Sequence, residues 1–466
     1  MARSMTYFSP DLKTRLEIAF SGCSPVYRVP SVSSSLIHSG SVMKLFYRFS
    51  SVCLLVFSIP SWGDSPPRLR VDDLVSETIK SNPERLFYEA ALQGARAELS
   101  TAGRLPQPEV HGTAGAKRSR DFQSGLSGEG VAWSVGVSQT FEWPGRLSLR
   151  KAIANLDVEL AELGYQRFVH ALGNRVRLLA LTLSGSQERS EVASKVANRL
   201  HELRETLLQR DPAGVTPILE VRILEATELT LRKRAAEARL SEDSARVELN
   251  LLRGQPTGAE MEVVAEIPIL GEIPPVDVLL SSAETNNFDL RSRTAELKQQ
   301  GFRIDLARNE RWPAFTVGPQ FSEENSLGQD RLAGVAVSFP LPLWKNPANN
   351  VAAAQARRLQ AETLLAVSRR DIERRVVNSL HSWQAKKTEL ENWRPDSVEQ
   401  FRAASELADR HFRLGAVPAT TYVEIQRQYF EAVDTLLNTR REVLENVLEL
   451  EQLTGMDLTH SLPGKP

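Results

Sequence analysis

The chain has 466 residues, and its 57 lysines and arginines nearly balance 58 aspartates and glutamates, for a net charge of −1. That balance excludes a general nucleic-acid binder. Two cysteines and seven scattered histidines exclude a disulfide scaffold and a cysteine-based zinc site, and the lack of any apolar run of roughly 18 residues excludes a helical inner-membrane transporter.

The first readable element is a secretory signal over Lys44–Gly63. Lys44 and Arg48 precede the apolar stretch Val52, Cys53, Leu54, Leu55, Val56 and Phe57. Pro60 breaks that stretch, and Ser61 and Gly63 are small residues before a cut after Gly63. The Ser-rich residues 1–42 fit no signal, so translation is expected to begin at Met43. Removing 1–63 leaves no cysteine, as suits an oxidising compartment.

The rest is written twice, with a period near 200 residues. Val71, Asp72, Leu74 and Asn82 recur as Val276, Asp277, Leu279 and Asn287. Arg96, Leu99, Arg104 and Pro106 recur as Arg303, Leu306, Arg311 and Pro313. Trp143 recurs as Trp344, and Gly214, Pro217, Leu252 and Gly254 recur as Gly415, Pro418, Leu453 and Gly455. The expected organisation is an extension plus signal at 1–63, a first repeat at 64–262, a linker at 263–276, a second repeat at 277–458 and a tail at 459–466.

Each repeat opens with a helix, over 72–103 and 277–310. A proline-marked break then leads into two alternating strands, about 109–118 and 131–141 in the first repeat and about 314–322 and 331–340 in the second. Trp133, Val135 and Val137 take one face, and Ser134, Gly136 and Ser138 the other. Two long helices follow. One over 146–209 would run about 95 Å, with Leu172, Val176, Leu179 and Leu183 at coiled-coil spacing. Tyr429, Val433, Leu436, Val443, Val447 and Leu450 repeat that spacing near the C-terminus. Pro395 interrupts the second-half counterpart, where a kink or break is expected.

Two isolated hairpins are marginal in water. Strands of this length also cross an outer membrane when tilted, at ~9–11 residues. Four strands leave edges that lipid does not tolerate, so a spanning sheet would need several chains to close one barrel. A half-buried soluble hairpin would show the same alternation, so the strands alone leave both readings open.

In this order the pattern resembles the outer-membrane efflux proteins, the TolC-like exit ducts, over about residues 70–458. The stretches that carry the resemblance are Asn82-Pro83-Glu84, Leu105-Pro106-Gln107-Pro108-Glu109, the run Val137 to Arg146 ending in Trp-Pro-Gly-Arg, Arg413-Leu414-Gly415-Ala416-Val417, and Leu450 to Gly455. The Trp-Pro-Gly-Arg exit is most similar to the heavy-metal, CzcC-like branch of resistance-nodulation-division efflux systems. The resemblance implies a mostly α fold with a small membrane β part, a duplicated helix–hairpin–helix–helix unit, and a homotrimer. Its 12-stranded barrel in outer-membrane lipid would continue into a periplasmic helical barrel. It implies cargo handed over by an inner-membrane efflux pump and a periplasmic adaptor (membrane fusion protein). The adaptor-docking tip would be Arg413, Leu414, Gly415, Ala416 and Val417, with Gly214 and Val215 as first-half counterparts. The family's acidic aperture falls at Thr421 and Glu424, and at Glu220 in the first half, so one second-half acid is missing. The first-half turn Arg210-Asp211-Pro212-Ala213-Gly214-Val215 departs from the second-half sequence.

No catalytic constellation is legible: there is no Gly-x-Ser-x-Gly elbow and no phosphate-binding Gly-Lys-Ser/Thr loop. No enzyme activity, cofactor, metal site or nucleic-acid partner is expected. Rival readings are a periplasmic coiled-coil scaffold or adaptor, and an exit duct for type I protein secretion.

Overall fold

A computed structural model describes residues 68–210, 218–264, 272–341, 347–394 and 396–459. The expected signal at 1–63, the turn holding Gly214, Val215 and Pro217, half of the expected linker, Trp344, Pro395 and nearly all of the tail lie outside these residues. The chain runs β1 (Arg68–Arg70), α1 (Val71–Ser81), α2 (Arg85–Ala102), β2 (Glu109–Arg120), β3 (Ser127–Phe141), α3 (Arg146–Arg210), α4 (Ile218–Leu252), β4 (Glu262–Val264), α5 (Val276–Asn286), α6 (Phe288–Asn309), β5 (Phe315–Asn325), β6 (Gln329–Ser338), α7 (Pro347–Asn392), α8 (Ser397–Arg413) and α9 (Ala419–Thr454). The short strands β1 and β4, which the periodicity did not reveal, pair in parallel.

The single opening helix expected in each repeat is two helices. In the first repeat Pro83 forces the preceding residue out of the helical region, and Asn82 sits at φ −61°, ψ 125°. The second repeat has no proline here, yet Asn287 adopts φ −60°, ψ 124°. A shared tie explains both breaks. The Asn82 amide donates to the carbonyl of Leu252 (2.9 Å), at the end of α4. The Asn287 amide donates to the carbonyl of Leu453 (2.8 Å), near the end of α9. Each side-chain oxygen then accepts from the following backbone: Glu84 N at 2.8 Å in one repeat, Asp289 N at 2.9 Å and Leu290 N at 3.1 Å in the other. Each asparagine thus fastens the start of its repeat to the end, and Asn287 also caps α6 while Asn82 closes the turn that leads into α2.

The 65 residues of α3 span about 97 Å at helical rise. Its stripe Leu172, Val176, Leu179 and Leu183 is buried against Leu74 and Val75 of α1 and Ala245 and Leu249 of α4. A second core joins Leu279, Leu290, Ile372, Val376, Trp383, Val443, Val447 and Leu450. A third joins Leu200 and Leu203 of α3, Leu224 and Leu231 of α4, Ala408 of α8, and Tyr422, Phe430 and Val433 of α9. The break expected at Pro395 falls between α7 and α8, where Ser397 N donates to the carbonyl of Arg394 (2.9 Å).

The four long strands form one antiparallel sheet in the order β2-β3-β5-β6. β2, β3 and β5 reach beyond the alternation that announced them, to 12, 15 and 11 residues. The two hairpins join through β3 and β5, so β2 and β6 are edges, and a single chain holds an open sheet rather than a closed barrel.

Candidate membrane sheet and docking tip

The register sorts the sheet into two chemistries, because residues directly opposed on neighbouring strands share a face. Val110 opposes Val137, Ala114 opposes Trp133, Val135 opposes Phe321, and Val317 opposes Val337. This apolar face is uncovered: Val110 is 74% and Val335 69% exposed. Trp133 tilts against Phe321 (centroids 5.5 Å) and Phe141 stacks on Phe315 (5.6 Å). The opposite face holds His111, Thr113, Lys117, Ser134, Thr140, Thr316, Gln320, Ser322 and Glu324. Thr113 and Ser134 hydroxyls lie 2.7 Å apart, and those of Thr140 and Thr316 2.9 Å apart. Glycine is required on this face where strands crowd. A Cβ at Gly318 would fall 1.8 Å from the carbonyl oxygen of Val137, and one at Gly130 1.5 Å from that of Asn325.

The Trp-Pro-Gly-Arg exit makes the joint between sheet and helices. Gly145 turns at φ 87°, which frees Arg146 to point back under the strands. The buried Arg146 guanidinium donates to Glu142 (3.2 Å), Asn309 Oδ1 (3.1 Å) and the carbonyl of Trp312 (2.6 Å). Arg150 holds the other Glu142 oxygen at 2.7 Å. Trp143 stacks on Trp312 at 5.1 Å, so the two repeats share an aromatic collar at the base of the sheet, the placement of an interfacial aromatic girdle.

At the far end of the helices, α8 turns into α9 through a Schellman closure. Gly415, at φ 73°, donates to the carbonyl of Phe412 (2.9 Å), and Ala416 donates to that of His411 (3.0 Å). Arg413 is held by Asp409 (3.0 Å) and lies 4.0 Å from Glu202 of α3. Leu414 stands 82% exposed, Ala416 is exposed and Val417 half-buried. Behind the turn, Tyr422 is fully buried. It stacks on Phe412 at 4.9 Å, and burial, with the Asp409 carboxylate beside it, pushes its phenol well above the usual range. Because Leu200, Leu203, Leu224 and Tyr422 share one core, the first-half helix pair ends beside the second-half turn.

The residues expected at an aperture lie within the first two turns of their helices. Glu220 is half-buried in the first turn of α4, where a carboxylate suits the positive helix end. Thr421 is exposed and Glu424 half-buried. Glu424 is already engaged: both its oxygens accept from Arg427 at 2.8 Å, and one also accepts from Gln428 at 2.9 Å. The Arg427 guanidinium, with Gln428, holds the carboxyl below the usual carboxylate range. Sequence reading overlooked Arg427, although its spacing of three from Glu424 is the signal of a helical ion pair. It also overlooked the ion pair of Lys117 with Glu324, for which the sequence carries no local signal, since β3 lies between the two strands. Among the described residues no cluster of three metal-ligating side chains occurs, and no helix is long and apolar enough to cross a membrane.

An uncovered apolar sheet face over a body of long paired helices needs a cover from outside the chain, and comparison with known proteins gives the class. The family model described as outer membrane efflux protein matches residues 74–255 and again 279–456. The chain belongs to that family. It is similar in structure to the Campylobacter jejuni CmeC outer membrane channel, with 14% identity, coverage of 84% of this chain and 87% of that one, and a TM-score of 0.69. It is also similar to CusC, with 14% identity, coverage of 86% and 95%, and a TM-score of 0.66. A membrane protein from Pseudomonas aeruginosa aligns with 18% identity, coverage of 82% and 90%, and a TM-score of 0.68. No curated protein sequence matches significantly. The protein is an outer-membrane exit duct whose helices extend into the periplasm.

Proposed function

We propose that this protein is the outer-membrane channel of a tripartite efflux system, a passive duct for ions or small molecules delivered by an inner-membrane pump through a periplasmic adaptor. The observation that carries the reading is the open four-stranded antiparallel sheet with one apolar, uncovered face. Lipid does not tolerate unpaired strand edges. An even number of alternating strands lets β6 of one copy meet β2 of the next antiparallel. Three copies close a barrel of twelve strands with the apolar face in lipid and the polar face around a wet lumen. The helices that flank the strands follow the same order: α2 packs on α3, α3 on α6 and α6 on α7.

In this reading Arg413, Leu414, Gly415, Ala416 and Val417 meet the adaptor, with Gly214 and Val215 as their first-half counterparts in sequence. Thr421, Glu424 and Glu220 line the periplasmic aperture. The Trp143-Pro144-Gly145-Arg146 exit favours the heavy-metal branch, with the metal ion as cargo. Residues 1–63 hold the signal that sends the chain across the inner membrane. Light scattering of the detergent-solubilised protein tests the assembly: three copies per particle are expected, and a stable membrane-inserted monomer would overturn it.

A further inference from the structure

We infer that the charge selectivity of the duct is set at the hairpin end of the sheet, by Lys117, Glu324 and Asp330, and favours cations. The inference rests on the channel reading above, in which the polar face of the sheet lines the lumen.

Glu324 on β5 and Asp330 on β6 are directly opposed, so their carboxylates share the polar face. Like charges in that position repel. A single ammonium stands beside them: Lys117 of β2 forms an ion pair with Glu324. It crosses β3 at its own partner Gly130, which has no side chain to stand in the way. The other charges of this region do not change the count: Arg120 opposes Ser127 on the apolar face, and Asp121 lies beyond the strand in the β2–β3 loop, where it accepts from Gln123 N. Arg118 opposes Glu129 and Arg331 opposes Glu323 on the apolar face, and both couples are ion-paired there. The polar face therefore keeps one uncompensated negative charge per chain at this end. From there toward the helices the face is lined by neutral side chains and glycine, until His111 and then Glu109 at the start of β2. The periplasmic candidate differs, because Arg427 grips both oxygens of Glu424. A carboxylate excess inside a narrow, low-dielectric wall raises the local cation concentration, whereas a charge held by its own counter-ion does so less.

The test is the reversal potential of the full-length protein in planar bilayers under a potassium chloride gradient. Wild type is expected to prefer potassium. Asp330→Asn and Glu324→Gln should each lower the cation-to-anion permeability ratio roughly two- to threefold, and Lys117→Gln should raise it. Glu424→Gln should move it less than either. Asp330→Asn leaves the Lys117–Glu324 ion pair in place, so it separates charge from folding. Conducting variants with the wild-type ratio, or a larger shift from Glu424→Gln, would overturn the charge assignment and leave the duct standing. Absence of any conductance in wild type would overturn both.

Discussion

At the α8–α9 end, Tyr422 is fully buried, Phe412 stacks on it, and α3, α4, α8 and α9 share one core within a single chain. At the sheet end, Val110, Val131, Val335 and Val337 are all more than half exposed, and two strand edges have no partner. The helices bury their apolar stripes against one another; the strands have only each other. Stability of the first region is a property of the chain. In the assembly proposed above, that of the second comes from lipid and from further copies, because an apolar face and free backbone groups must be satisfied from outside.

The comparison is broken most severely at the helical end. Tyr422→Ala should cost about 3–5 kcal/mol, by the measure of other buried aromatic truncations. Amides of α8 and α9 should then exchange hydrogen much faster while those of α1 and α5 keep their protection. Unchanged exchange would show that the tip does not depend on this core. At the sheet, Trp133→Arg is expected to cost about 2–4 kcal/mol of membrane insertion, read as loss of the protein from the outer-membrane fraction. The same change on a face meant for water would do little, so a normally inserted variant would remove lipid from the account.

Asn287→Ala removes both the helix cap and the tie to Leu453, for about 1–3 kcal/mol in chemical denaturation. Asn82→Ala should cost less, since its side-chain oxygen accepts one backbone bond where that of Asn287 accepts two. Equal costs would mean that the tie, and not the cap, matters.

Gly415 has open space where a Cβ would stand. Substitution there costs only the left-handed backbone, about 1 kcal/mol for Ala and less for Asn. Both variants should assemble normally. Gly415→Asn, bulky but conformationally tolerant, should abolish resistance if this turn meets the adaptor, and full resistance would remove it from the interface.

The smallest effect is a pH dependence of the α7–α9 clamp. Lys386 binds Glu442 (2.8 Å) and Glu389 (2.9 Å), and Glu389 accepts from Thr439 (2.8 Å). The Lys386 ammonium and the Thr439 hydroxyl lower the Glu389 carboxyl below its ordinary 4.5, so this stabilisation is present above that value and is lost as the pH falls through the folded value. The Glu442 and Glu389 carboxylates raise Lys386 to about 12, so its share is full below 10.5 and fades as the pH rises through about 12. These groups are partly exposed and the gain is small. Comparison of melting curves with those of Glu389→Gln should show a difference at neutral pH that vanishes in acid; a difference that persists in acid would place the cause elsewhere.

Periodicity was enough to place the strands, the long helix α3 and its buried stripe, because alternation and heptads are local consequences of backbone geometry. The duplication was legible for the same reason: Asn82 and Asn287, Leu252 and Leu453, Gly254 and Gly455 recur in order. What those repeats do was not legible. The asparagine amides reach carbonyls 170 and 166 residues away, a distance no local pattern spans, and so a single opening helix was expected where there are two. The α8–α9 turn showed in its glycine. The state of Glu424 did not, because whether a glutamate is an unpaired pore charge or the partner of Arg427 is decided by side-chain geometry. Lys117 and Glu324 likewise meet only once β3 lies between β2 and β5, with a glycine where the lysine must cross. The sequence by itself determined where the four long strands and the long helix α3 lie and which face of each is apolar. Tertiary structure alone decided which charges on different segments meet, since such ion pairs depend on register and chain crossing, and these are set by the packing of distant segments.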